Sequence, residues 1–441
     1  MRTATMFITL GLLVSSGTVR ADDTLWSRRR PGVGASGTAV AIIGTNIYTV
    51  GSVGNPDVNI LIAKYRGNGD TVWSRILNFD NAEKTVDVAV GSDSTPVVAV
   101  AVTNPPLTLS LVKLSKNGDT VWTRHRANFS PTGIALNAQN EIFVFGSSGG
   151  ILANESLALL KYSAGGALMF NHHWRLGPSF TMGGCAVAPN GNVVGAATVN
   201  GLATILKFDG LGDTLWSQRY LDLTGGELQG VAVAPNGCIV LAAKFSTSLR
   251  VAKFEPNGSE LWSLPMPGLG SSQVYANIAV DADSNVAVPL DSLVYVLDAQ
   301  GAQRGVLNCR TAGQLRSVAF GYDGLPVAVG SAIAPPGCLT VKFSTVTAVA
   351  EPANPPAPGA GRFLVEGILG PGQAIVLTVP RAGSYTISIM TENGALLRQI
   401  NKGYLSPGEF RFAPGKLAAG SYYLRIAGPA GTVQEKFIQL R

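Results

Sequence analysis

Histidine is nearly missing from this 441-residue chain: there are three, His125, His172 and His173. The last two are adjacent, so on a strand they point to opposite faces and cannot grip one metal ion together. His125 lies apart from them, beside Trp122. Neither a histidine metal centre nor a Ser-His-Asp arrangement is expected. Cysteine is scarce as well. Cys185, Cys238, Cys309 and Cys338 lack both the dense spacing of a disulfide scaffold and the C-x-x-C step of a metal site, so packing must supply the stability. Charged residues make up 14% of the chain, and no phosphate loop, HExxH or GxSxG occurs. Long apolar runs are missing too. The longest, at 6–14, is too short for the roughly 20 residues a membrane span needs. With Arg2 before it and Val19-Arg20-Ala21 after it, it reads as a secretory leader covering 1–21, which leaves no transmembrane segment after its removal.

Net charge is +6 overall, but it is unevenly spread. The segment 362–441 holds nine Lys/Arg and four Asp/Glu, and the leader holds two arginines; the 33 basic and 27 acidic residues of the chain therefore leave 22 and 23 for 22–361. A near-neutral main region has no clustered cations to displace counterions, so nucleic acid is not an expected partner.

What is abundant is repetition. Lys64-Tyr65-x-x-x-Gly69-Asp70-Thr71-Val72-Trp73 returns as Lys113 to Trp122, as Lys207 to Trp216 and, more loosely, as Lys253 to Trp262. Lys161-Tyr162-x-x-x-Gly166 is a fifth copy with Phe170 in the Trp place, and 296–301 is a sixth that has lost both Lys and Trp. Upstream of each lie two alternating β-branched stretches split by a turn, such as Val231 to Ala234, Pro235-Asn236-Gly237, and Ile239 to Leu241. Such punctuation marks hairpins, and four short strands in a unit of this length make a propeller blade. Innermost strands near Val40, Val88, Ile134, Val187, Val231, Ile278 and Val318 predict seven units over 22–345. The last unit lacks a fourth strand, and 23–27 is a fourth strand without the other three. The expected fold is therefore all-β: a seven-bladed β-propeller closed by its N-terminal strand, with the repeated Trp residues packed between blades.

The Gly-x-x-x-Trp hairpin resembles pyrroloquinoline-quinone-like and related short bacterial propeller repeats. That likeness specifies architecture and leaves activity open. No cofactor is expected, because a quinone-dependent enzyme would need a calcium site and stacking groups that the sequence does not point to.

After a Pro/Ala/Gly linker at 346–361, short alternating strands at 374–379, 384–390, 396–400, 409–412, 421–426 and 433–440 predict an Ig-like β-sandwich over 362–441. Leu377 to Gly383, Thr391-Glu392-Asn393-Gly394, Leu405-Ser406-Pro407-Gly408, Leu417 to Tyr423 and the ending Lys436 to Arg441 resemble the C-terminal sorting domain of type IX secretion substrates. Its opening Pro-Asn-Pro element is degenerate here, as Ala353-Asn354-Pro355. The resemblance implies handling by the type IX secretion machinery and a place outside, or on the outer surface of, a Gram-negative bacterium.

Candidate site residues are few. Glu83, Asp87 and Glu227 stand near the start of inner strands, where carboxylates could face the axial channel and serve a hydrolase or lyase. Trp174 is an aromatic off the repeat register and adjoins His172 and His173; it suits either a stacking platform for a ligand or cover for the gap beside Phe170, and packing is the commoner fate of an aromatic. Cys309 and Cys338 fall at strand ends in adjoining units and form a candidate disulfide. The leading functional expectation is a binding or scaffold propeller, not an enzyme, that meets an extracellular protein or glycan through the loops of one face.

Overall fold

The computed structural model describes residues 23–344 apart from 33, 55–57, 80–82, 104–105, 150–155, 176–179, 221–222, 224, 246–247, 267–276 and 334, and, nearer the C-terminus, the strands between 368 and 439 with residues 417–418. The leader at 1–21 and the linker at 346–361 lie outside the described residues. The chain divides into two units, 1–349 and 350–441.

Among the described residues, the first unit is built from seven four-stranded antiparallel sheets, six of them in simple sequence order. Their first strands are Ser36–Ile43, Glu83–Val90, Phe129–Leu136, Phe180–Val187, Glu227–Val233, Ala279–Val280 and Ala312–Phe320. Each first strand packs on the first strand of the next sheet, and that of the seventh packs on that of the first. The seventh sheet takes its fourth strand from the other end of the chain. Thr24–Pro31 pairs antiparallel with Gly337–Phe343, with Trp26 opposite Lys342 and Pro31 opposite Gly337. Turn Asp residues hold their own hairpins, as short polar side chains favour: Asp209 Oδ1 accepts the N–H groups of Leu211 and Asp213, each at 2.9 Å.

The outer halves of the sheets explain the repeated motif. Lys and Trp of one copy stand opposite each other on the third and fourth strands, as in Lys64 with Trp73 and Lys253 with Trp262. Both then reach the same carbonyl in the next sheet's hairpin. Lys64 Nζ and Trp73 Nε1 donate to Lys116 O at 3.3 and 2.8 Å, and Lys253 Nζ and Trp262 Nε1 donate to Ala299 O at 3.0 and 3.2 Å. The pair Lys342 and Trp26, drawn from opposite ends of the chain, does the same to Gly67 O at 3.3 and 3.0 Å. The motif glycine is the receiving half of this latch. Gly118 has φ +86°, and a Cβ there would sit 2.8 Å from the Trp73 ring. Gly69 stands in the same relation to Trp26, at 2.7 Å. In these three pairs an indole and an ammonium are handed forward to the next sheet, whereas the Lys161 copy, with Phe170 in the Trp place, hands forward only its ammonium, to Gly210 O at 2.9 Å.

Sheet six has lost both donors, since Val296 faces Gly305 at those positions. Its seam to the seventh sheet is held in part by Asp23, which exchanges bonds with the backbone of Asn308 at 3.1 and 3.0 Å and accepts the N–H of Ser344 at 2.8 Å.

The second unit holds a five-stranded sheet in the order Ile368–Leu369, Gly431–Gln439, Gly420–Gly428, Gly383–Thr391, Leu396–Leu405, and a separate pair of Ile375–Val379 with Gly408–Phe412. Tyr385, Ile387, Ile389, Leu424 and Ile426 are buried and alternate along the two central strands, so one face of this sheet is apolar.

Candidate functional site

At the end of the first unit where the inner strands begin lies a cavity of about 680 Å³, to which six of the sheets contribute, with Asn277 ahead of the remaining one. A second cavity, of about 610 Å³, is lined by the hairpins at the other ends of several inner strands, among them Asn137, Asn190 and Asp281. The first has the more specific construction. In six sheets the register between the first and second strands slips by one residue at the same level: between Gly37 and Ala39, Thr85 and Asp87, Pro131 and Gly133, Met182 and Gly184, Leu228 and Gly230, and Leu315 and Ser317. The residues passed over are Thr38, Val86, Thr132, Gly183, Gln229 and Arg316, and every one of them lines the cavity. A bulge bends its strand and re-aims the extra residue, so bulges at one level bring a residue of each of six sheets to the cavity wall. Asn277, two residues ahead of the sixth sheet's first strand, is bridged to Ser317 and also lines the cavity.

Polar groups beside the bulges stitch neighbouring inner strands together. Thr85 Oγ1 donates to Gly51 O at 2.8 Å. Thr198 Oγ1 donates to Gly226 O at 3.0 Å and accepts from Leu228 N at 3.1 Å. Asp87 does most: Oδ1 accepts the N–H of Val88 at 2.8 Å, and Oδ2 accepts that of Ile134, in the next sheet, at 3.1 Å. Burial raises its pKa to about 6, against the pull of those two bonds. The Cys185 thiol, close by, is pushed well up by burial and by the Asp87 charge.

The residues singled out from the sequence fall in different places. Asp87 and Glu227 line this cavity. Glu83 does not: it is buried, and its carboxylate Oε1 accepts the N–H of Phe79. Alternation along the strand sends Glu83 and Thr85 between the sheets and Lys84 into the cavity mouth. Trp174 and His172 are also far from the axis, on the fourth strand of the third sheet, Leu168–Trp174. There the Trp174 ring packs 4.6 Å from that of Phe208 and the His172 ring 4.5 Å from that of Phe170, while His172 Nδ1 meets Gly212 O at 3.2 Å. They cover the seam where Phe170 replaces Trp. His125 and His173 sit on outer strands as well, near the hydroxyls of Ser110 and Ser156.

The Cys309–Cys338 disulfide is absent: both residues are buried free thiols. Cys309 packs with Ala328, Leu339 and Val341, whereas Cys338 packs with Val327 and Val329. Residues that alternate along the same strands point oppositely, so the last sheet stands between the two sulfurs.

The bulge residues were not visible to motif reading, although a signal exists. Aligning the inner strands as Thr38-Ala39-Val40, Thr132-Gly133-Ile134, Gln229-Gly230-Val231 and Arg316-Ser317-Val318 exposes a position that changes character immediately before one that stays small.

No family model matches the chain, and no curated protein matches it in sequence. Solved structures do match in fold. Virginiamycin B lyase from Staphylococcus aureus is 8% identical with a TM-score of 0.52, over 72% of this chain and 99% of that one. A catalytically inactive His-to-Ala variant of the same enzyme, with quinupristin, gives 8% identity and a TM-score of 0.53 over 72% and 99%. The WD40 β-propeller domain of Doa1 gives 11% and 0.51 over 73% and 97%. At such identities the likeness speaks for fold alone. The repeated four-stranded sheets are those of a β-propeller repeat protein.

Proposed function

We propose that this chain is a secreted or cell-surface binding and scaffold protein, a seven-bladed β-propeller sealed by its N-terminal strand, whose bulge-lined cavity and surrounding loops meet an extracellular protein or glycan. The observation that carries this reading is the ring of bulges. A repeated backbone device brings a residue from each of six sheets, of five different types, to the wall of one cavity, which is how a rigid frame offers a specific surface. The Ig-like C-terminal unit serves as a sorting domain for the type IX machinery, a role supported by its motif resemblance. The test of binding is a glycan array and a surface-protein pull-down with the mature chain and with a Thr38→Ala, Gln229→Ala double variant. A ligand captured by the first and lost by the second supports the reading, and captures that ignore the variant sink it. Export is tested separately, by expressing the chain with and without 362–441 in a host that has the secretion system.

A second reading, a hydrolase or lyase, is favoured by Asp87: a carboxyl with a pKa of about 6 in a cavity shared with Glu227 has a value suited to general acid work. Against it, both Asp87 oxygens are engaged by backbone N–H groups. The lyase neighbours include a variant inactivated by loss of a histidine, whereas all three histidines of this chain lie on outer strands. Turnover of polysaccharides that disappears in an Asp87→Asn, Glu227→Gln variant would favour this second reading over the first.

A further inference from the structure

We infer that the bulge-lined cavity takes a carboxylated sugar, held with its carboxylate on one arc of the ring and its hydroxyls on the other. This rests on the binding reading above and names the ligand class for the same site. Sheets seven, one and two are neighbours around the axis, and they contribute Arg316, Thr38 and Lys84 to the lining. Sheet five, across the ring from them, contributes Glu227 and Gln229. The cavity is therefore polarised, with cations and a hydroxyl on one arc and a carboxylate and an amide on the other.

Asp87 also belongs to sheet two but does not cancel the cationic arc. Its oxygens already accept the N–H groups of Val88 and Ile134, and its single carboxylate is outnumbered on this arc by the cations of Arg316 and Lys84. Arg316 is half-buried at its bulge, and a guanidinium so placed suits planar, bidentate contact with a carboxylate, with Lys84 as a second, more mobile cation at the mouth. Glu227 is an acceptor-only group and the Gln229 amide both donates and accepts, a combination that matches the hydroxyl groups of a sugar. The volume of about 680 Å³ lies within the range of small-molecule sites, roughly 300–1,000 Å³.

The experiment is calorimetric titration of the mature full chain with sodium D-galacturonate, trigalacturonate and D-galactose at low salt. Saturable binding of galacturonate about tenfold tighter than galactose is expected. Arg316→Gln should weaken the acid by about tenfold or more while leaving galactose unchanged, and Arg316→Lys should restore part of the loss, since Lys keeps the charge without the fork. Equal affinity for monomer and trimer identifies a free sugar acid as the ligand, and a tighter trimer identifies the end of an acidic glycan. The inference is overturned if galactose binds as well as galacturonate, or if the wild-type chain shows no saturable uptake of either acid. Should Arg316→Gln fail to fold, by its melting curve, Lys84→Gln and the acid-to-neutral comparison on the wild type decide the matter. A neutral glycan whose binding falls in Gln229→Ala overturns the acidic class and leaves the binding reading standing. An array with no bulge-dependent ligand removes both.

Discussion

The outer and inner rings of the propeller repeat the same geometry with opposite rules about side chains. On the outside, Lys, Gly and Trp recur because each copy must fit the next: Lys64 and Trp73 close on Lys116 O, as Lys253 and Trp262 close on Ala299 O. On the inside, the bulge recurs at one level in six sheets, yet the residue it carries is Thr, Val, Thr, Gly, Gln or Arg. Identical residues at a repeated position answer a packing demand common to every sheet. Different residues on an identical backbone device answer a demand that comes from the axis, where only one object can sit. On the proposed binding reading, the outer ring carries stability and the inner ring specificity, and each can be perturbed without the other.

The largest expected effect comes from breaking the outer ring where two chain ends meet. Removing 22–31 strips Gly337–Phe343 of its partner strand, and with it the Trp26 half of a latch and the Asp23 bonds at the sixth seam. Loss of more than about 5 kcal/mol is expected, beyond the usual reach of a single substitution, seen as loss of a cooperative denaturant transition. Next in size is Trp73→Ala. Trp73 is 8% exposed and packs with Tyr48 and Val112, so truncation should cost about 3–5 kcal/mol with ligand affinity unchanged at concentrations where the protein is folded. A fall in affinity as large as the fall in stability would break the division between rings.

The two rings also differ in how far sequence reveals them. The outer one was legible because its chemistry is uniform: Gly118 is glycine for the same reason as Gly69, a Trp ring against its Cα at φ near +86 to +88°, and uniform residues make a motif. Strand 23–27 was readable as a stray fourth strand for the same reason, since Trp26 carries the motif's end. The inner ring was not, because a bulge is a property of register and the residues that fill it are unalike. Carboxylates drew attention instead, and strand alternation divided them: Asp87 and Glu227 line the cavity, whereas Glu83 is folded back onto Phe79 N–H. Trp174 stands off the repeat register, where its ring packs against Phe208 beside the gap left by Phe170. The cysteine pair shared a rim, but which face of a strand each occupies depends on a register that spacing alone does not supply.

Asp87, on an innermost strand, offers a finer test. Its folded pKa of about 6 stands above the ordinary carboxylate value of 3.8, so the folded chain holds this proton between about pH 4 and 6 where the unfolded chain has released it. The group's contribution to stability is therefore present in full below about pH 4 and lost as pH rises through 6, by roughly 3 kcal/mol. Denaturation midpoints followed from pH 4.5 to 7 should show this fall in the wild type and a flatter profile in Asp87→Asn. An equal slope in both would mean that the Asp87 carboxyl is better solvated than its packing against Cys185 and Ile134 implies.

The smallest effect on stability belongs to the inner ring itself, and it is the sharpest discriminator. Gln229 sits on a bulge, half-buried, with its amide donating to Glu227 O at 3.4 Å, a long and exposed bond that adds little. The bulge is set by backbone register between Leu228 and Gly230, and neither neighbour changes in Gln229→Ala. The melting curve should stay within about 0.5 kcal/mol of the wild type, as for most partly exposed positions outside a core or network, while capture of the ligand falls severalfold. Stability lost without affinity lost would make the bulge residues part of the frame, and the uniform backbone of the inner ring would then have to be explained by packing around the axis alone.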